Sequence, residues 1–180
     1  MELKGEQVLP VARELAWKAL NDVDALKAAV PGCESFVPAG DNAYDVVVNA
    51  AIGPVKARFK GKLELADVQA PESYTIRFDL QGGTAGFSRG EARVKLESVD
   101  ANSSRMNYAV NASIGGKLAQ VGSRLVDAAS ATMADRFFNA FAADLASRYP
   151  PPAGVTVPAV RPPGFFATLW AFLKRLFKGA

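Results

Sequence analysis

The sequence predicts an α+β domain in which a curved antiparallel sheet wraps a long C-terminal helix, with two short helices after the first strand. Three observations carry this prediction. Four runs between residues 55 and 114 alternate apolar and polar side chains with a period of two. A long stretch ending near Arg148 carries apolar residues at helical spacing. The segment between the first strand and the alternating runs reads as helical twice over.

Residues 1–9 read as the first strand. Pro10 suits the first turn of a helix, where its missing N–H costs nothing. Leu15, Ala16, Trp17, Ala19 and Leu20 then fall at helical spacing over residues 11–20. Asn21 and Asp22 end this helix or cap the next. Leu26, Ala29 and Val30 form the second helix, which Pro31-Gly32 stops.

Residues 44–52 form a strand of less regular pattern. From 55 to 65 the alternation is the cleanest in the chain: Val55, Ala57, Phe59, Gly61, Leu63 and Leu65 share one face. Lys56, Arg58, Lys60, Lys62 and Glu64 share the other, which reads as a solvated face rather than a binding patch. Residues 73–81 place Tyr74, Ile76, Phe78 and Leu80 inward. Ala92, Val94 and Leu96 do the same in 90–98, and Met106, Tyr108, Val110, Ala112 and Ile114 in 104–114. Turns containing Gly, Pro or Asp separate these runs, as in a meander. Gly115-Gly116 closes the series. Leu118, Val121, Leu125, Ala129, Met133 and Phe137 mark one face of the long helix, which broadens to Phe138, Phe141 and Leu145 before Tyr149 and the following prolines end it.

Gly122, Ala128, Ala129 and Thr132 are read as small residues facing the sheet, where they leave room for an apolar pocket. The inward positions of the elements nominate Phe59, Leu63, Ile76, Phe78, Leu80, Tyr108, Leu125, Met133 and Phe137 as its lining. Packing these same side chains solidly together would fill it.

Composition narrows the chemistry. The chain has 180 residues, a formal net charge of +3, one cysteine (Cys33) and no histidine. Without histidine there is no Ser-His-Asp triad and no histidine-ligated haem. One thiol supports neither a zinc cluster nor an internal disulfide. No metal or covalent cofactor is expected, and the charge is too small for a dedicated nucleic-acid binder. The N-terminus lacks signal-peptide architecture, and no stretch approaches the ~20 apolar residues of a spanning helix. A cytoplasmic domain with a reduced Cys33 is expected. Catalysis would have to use the few polar candidates Glu34, Tyr44, Tyr74, Tyr108 and Arg136, which form no cluster in sequence.

The chain divides into a domain over 1–149, a proline-rich spacer over 150–163 and an amphipathic segment over 164–180. The spacer, extended at ~3.1 Å per residue, reaches on the order of 40 Å. On a helical wheel Phe165, Phe166, Leu169, Trp170, Phe172, Leu173, Leu176 and Phe177 occupy one arc of about 160°. Lys174, Arg175 and Lys178 lie outside it. Such a helix is about 22 Å long, too short to span but suited to lie on a membrane surface. Half-burial of its apolar face gives a gross attraction on the order of 6–12 kcal/mol. Docking into its own domain or a partner's groove is the alternative.

The ordered set Pro31-Gly32-Cys33-Glu34, Gly53-Pro54-Val55-Lys56-Ala57, Phe59-Lys60-Gly61, Gly115-Gly116-Lys117-Leu118-Ala119 and Gly122-Ser123-Arg124-Leu125 resembles the G-subunit family of carbon monoxide dehydrogenase over residues 1–148. The spacer and amphipathic tail are also typical of it. The resemblance implies a helix-grip, START-like fold that encloses a lipophilic ligand. It also implies a non-enzymatic accessory protein that recruits a molybdenum hydroxylase, of the carbon monoxide dehydrogenase type, to the cytoplasmic face of the cell membrane as a peripheral protein. It carries no catalytic motif onto these residues. A quinone is the lipophile that would link such an enzyme to the respiratory chain. A START-like cyclase or hydrolase acting on an apolar substrate is the alternative.

Overall fold

The computed structural model describes residues 1–150. The spacer and the amphipathic segment expected from the sequence, including Trp170 and the tail cations, lie outside them. The described residues form seven strands in one antiparallel sheet of spatial order β1-β7-β6-β5-β4-β3-β2. The strands are β1 (Glu2–Leu9), β2 (Cys33–Gly40), β3 (Ala43–Ile52), β4 (Val55–Gln69), β5 (Ser73–Gln81), β6 (Phe87–Asp100) and β7 (Ser103–Gly115). Helices α1 (Arg13–Leu20) and α2 (Val23–Ala29) carry the chain from β1 to the far edge. The meander then returns until β7 pairs with β1. After β7 come the short α3 (Lys117–Gln120) and the long α4 (Ser123–Arg148). This is the α+β architecture expected from the alternation, and the helix-grip fold that the resemblance implies.

The register aligns inward side chains across strands. Leu65 pairs with Ile76, Ile76 with Ala92, Ala92 with Val110 and Val110 with Leu3. The neighbouring row runs Tyr74, Val94, Tyr108 and Gly5. At two glycines neighbouring strands approach closely. A Cβ at Gly61 would collide with the Asp79 carbonyl oxygen, and one at Gly90 with that of Asn111. Only a residue without a side chain lets the backbones approach so closely.

Two apolar clusters fill the ends of the space between sheet and helix. The larger contains Leu9, Ala16, Leu96, Met106, Phe138, Phe141 and Leu145. Each fully buried Phe or Leu stabilises the fold by about 1.5–3 kcal/mol. The smaller contains Ile52, Phe59, Ala85, Leu118 and Val126.

The structure corrects the sequence-based expectation in four places. Pro10 is not in a helix: Val11 is buried in the main core, the chain bends there, and α1 starts at Arg13. Strand β2 was not expected, because as an edge strand it is largely exposed and holds Pro38. The long helix is interrupted at Gly122, whose φ of +93° breaks the phase between α3 and α4. An unbroken helix would carry Val121 onto Leu125, but Leu125 is 47% exposed and Val126 takes the buried position. For the same reason Gly122, Ala128 and Thr132 face solvent, and of the four small residues only Ala129 packs against the smaller cluster.

Gly61→Ala is expected to lower stability by about 3 kcal/mol, since the obstructing atom is backbone and cannot rotate away. Urea unfolding measures it, and a loss under about 1 kcal/mol would show that the close approach tolerates a side chain.

Candidate ligand cavity

Beside the larger cluster the concave face of the sheet is not covered by α4 alone. Helix α2 closes part of the gap. Asp22 caps it by accepting from the N–H groups of Asp24 (2.9 Å) and Ala25 (3.1 Å). Asp22 also accepts from Arg148 at the end of α4 (2.8 Å). Arg148 in turn pairs with Asp144 one turn earlier (2.8 Å). The cap to Ala25, with help from Arg148, holds the Asp22 carboxyl below its ordinary pKa. This clamp fixes α2 against the helix it faces.

Beneath α2 lies an inner cavity of about 160 Å³. Its walls are Leu20 of α1, Leu26 of α2 and the adjoining Val30, Phe36 of β2, Tyr44 of β3, and Leu63 and Leu65 of β4. Tyr74 and Ile76 of β5, Val94 of β6, Met106 of β7 and Phe137 of α4 complete it. The two tyrosines are its only polar side chains. Tyr74 is 4% exposed, and its ring meets Trp17 edge-on at 5.3 Å. Burial pushes its phenol well above the ordinary range, with a further push from nearby Tyr44, so it is a neutral donor at any physiological pH. The Tyr44 ring packs on Phe36 at 5.1 Å.

A second, more open groove of about 280 Å³ adjoins it, lined by Leu3, Val30, Pro31, Met106, Tyr108, Val110, Met133, Ala134, Phe137 and Phe138. Val30, Met106 and Phe137 belong to both and form the partition between them. The Phe137 ring stacks on Phe141 at 5.5 Å and meets Phe138 edge-on at 5.2 Å. Tyr108 lies over Gly5, leaving no room there for a side chain, and tilts against Phe138 at 5.1 Å.

The nine nominated residues thus separate. Leu63, Ile76 and Phe137 line the inner cavity, and Tyr108, Met133 and Phe137 the groove. Phe59 and Leu80 sit in or against the smaller cluster, where side chains are close-packed. Phe78 lines a polar trough with Lys62, Glu64, Arg77 and Asp79. Leu125 lies outside both voids. The wall contributed by Leu20, Leu26, Val30 and Phe36 was not visible in the sequence, because an amphipathic pattern marks the buried side of an element without saying what it faces. Glu34 is far from any cavity role. It accepts from Asn49 (2.6 Å) and Arg58 (2.6 Å) on the outer surface, and these bonds lower its pKa. Arg136 is exposed. No group of three or more metal-ligating side chains occurs among the described residues.

The family profile for CoxG, the G-type subunit of carbon monoxide dehydrogenase, matches residues 5–146. The chain belongs to the CoxG family. Solved structures share the fold. A conserved protein from Geobacillus kaustophilus superposes with a TM-score of 0.77 at 24% identity, over 82% of this chain and 96% of that one. A START superfamily protein from Mycobacterium smegmatis gives 0.64 at 10% identity, over 82% and 98%. The Zhui aromatase/cyclase from Streptomyces sp. R1128 gives 0.63 at 12% identity, over 87% and 99%. At these identities the likeness is one of fold, and the fold of this CoxG-family chain is START-like. No curated protein matches it.

Phe137→Ala should merge cavity and groove. The expected cost is about 2 kcal/mol of stability, below that of a fully buried phenylalanine because the ring is only half-buried, with increased uptake of a small apolar probe such as xenon. Unchanged uptake would place the ring elsewhere than in a partition.

Proposed function

We propose that this chain is a non-enzymatic accessory protein that recruits a molybdenum hydroxylase of the carbon monoxide dehydrogenase type to the cytoplasmic membrane. In this reading it also holds a lipophile, such as a quinone, for electron transfer to the respiratory chain. The observation that carries the reading is an apolar cavity under α2 and α4, free of charged side chains, in a chain of the CoxG family. Hydroxyls and apolar walls suit binding. A cyclase or hydrolase would need an acid or base, and the charged candidates Glu34 and Arg136 lie elsewhere.

No helix of the described residues is long and apolar enough to cross a membrane. Attachment is therefore assigned to the amphipathic sequence of residues 164–178, with its aromatic arc and three cations. Redox chemistry belongs to the partner enzyme. The lipophile's affinity should change little between about pH 6 and 8, since carboxylates, tyrosines and lysines do not ordinarily titrate there.

A chain ending at Tyr149 is expected to stay folded and to lose flotation with anionic liposomes, and Trp170→Glu in the full chain should act nearly as strongly. Retained flotation of the truncated chain would overturn the anchor. Electron transfer from the partner enzyme to membrane quinone should fall when this protein is omitted. An unchanged rate, or turnover of an apolar substrate by the purified chain alone, would overturn the accessory role.

A further inference from the structure

The inner cavity has an apolar wall interrupted at two points. Tyr44 and Tyr74 stand on β3 and β5, on either side of the Leu63–Leu65 segment of β4. The register gives both the inward parity: Tyr44 pairs with Leu63, and Tyr74 lies two residues from Ile76 on the same face. Neither hydroxyl has a hydrogen-bond partner among the described residues. For Tyr74 this matters most, because its side chain is almost fully buried. A buried phenol usually finds an acceptor, and here the space it borders is the cavity. At about 160 Å³ the cavity is close to the ~150 Å³ known to take one benzene ring. The adjoining groove, in contrast, is apolar throughout apart from Tyr108, which is spread over Gly5.

We infer that Tyr44 and Tyr74 form a headgroup-reading pair that donates hydrogen bonds to a carbonyl oxygen on a ring-sized ligand head. This rests on the carrier reading above and adds to it the chemical class that the cavity selects: a lipophile whose head carries an acceptor oxygen, rather than a hydrocarbon or a fatty-acid carboxylate. A carboxylate would meet no cation in the lining, whereas a neutral carbonyl needs only a donor. Because the Tyr74 phenol stays protonated, the donor persists across the physiological range.

The test uses the full chain and two probes of similar size, a methyl-substituted 1,4-benzoquinone and the corresponding methylbenzene without carbonyls. Tyr74→Phe should weaken quinone binding about tenfold and leave the hydrocarbon unchanged or tighter. Tyr44→Phe should act in the same direction. Thermal unfolding checks that each variant is folded, which the matched ring shape favours. The carbonyl stretch of the bound quinone in the infrared should shift to lower frequency in the native chain and return upward in the double variant. Equal affinity of native chain and variants for the quinone, or an unshifted carbonyl band, overturns the pair while leaving the carrier reading standing. Failure of both probes to bind the native chain overturns both.

Discussion

A sheet of seven strands that curls around a single helix encloses more concave surface than one helix can cover. At Gly61 and Gly90 the strands β4 and β6 pass too close to their neighbours for any side chain. Helix α4 makes solid contact at its two ends, through Val126 near its start and through Phe138, Phe141 and Leu145 toward its finish. Between them the half-buried Met133, Ala134 and Phe137 leave space. The remaining gap falls to α2, which is why a seven-residue helix needs both an N-cap and a bridge to Arg148. The cavity is thus a consequence of curvature, and its position is set by where the helix ends are filled.

Charge is distributed to match. The cationic side chains of β4 point outward, and ion pairs such as Arg58–Glu34 and Lys95–Glu97 lie on the exposed surface, where each contributes at most about 1 kcal/mol. They keep the outer face soluble and leave the inner face free of charge. A cavity whose polar side chains are two phenols is suited to hold a neutral lipophile. The family to which the chain belongs is described as a subunit of a dehydrogenase.

Much of the sheet was legible because period-two alternation is a direct imprint of one wet and one buried face. β5 runs over the same residues that the alternation marked, and β4, β6 and β7 extend a few residues beyond. β2 left no such imprint, since an edge strand with Val37 and much of its length exposed has no consistently buried side. Leu125 was misplaced because spacing assumes continuity and one left-handed glycine at 122 interrupts it, whereas Ala129, Met133 and Phe137 further along the same face do point inward. The site was only partly legible. Leu63, Ile76 and Phe137 line the cavity, but equally apolar and equally inward Phe59 and Leu80 belong to packed core. Nothing in periodicity distinguishes an inward residue beside a void from one beside a neighbour. That distinction arises from how α1 and α2 settle over the sheet.

The central claim is that the space under α2 is a ligand compartment. Native mass spectrometry of the protein purified from its own membranes, followed by extraction and identification of any adduct, tests it most directly. The expected result is one bound lipophile per chain, with an acceptor oxygen on a ring-sized head, lost when Phe36 or Ile76 is replaced by a charged residue in a chain that remains folded. A protein that leaves the membrane at its bare mass and takes up no lipophile on incubation would contradict it.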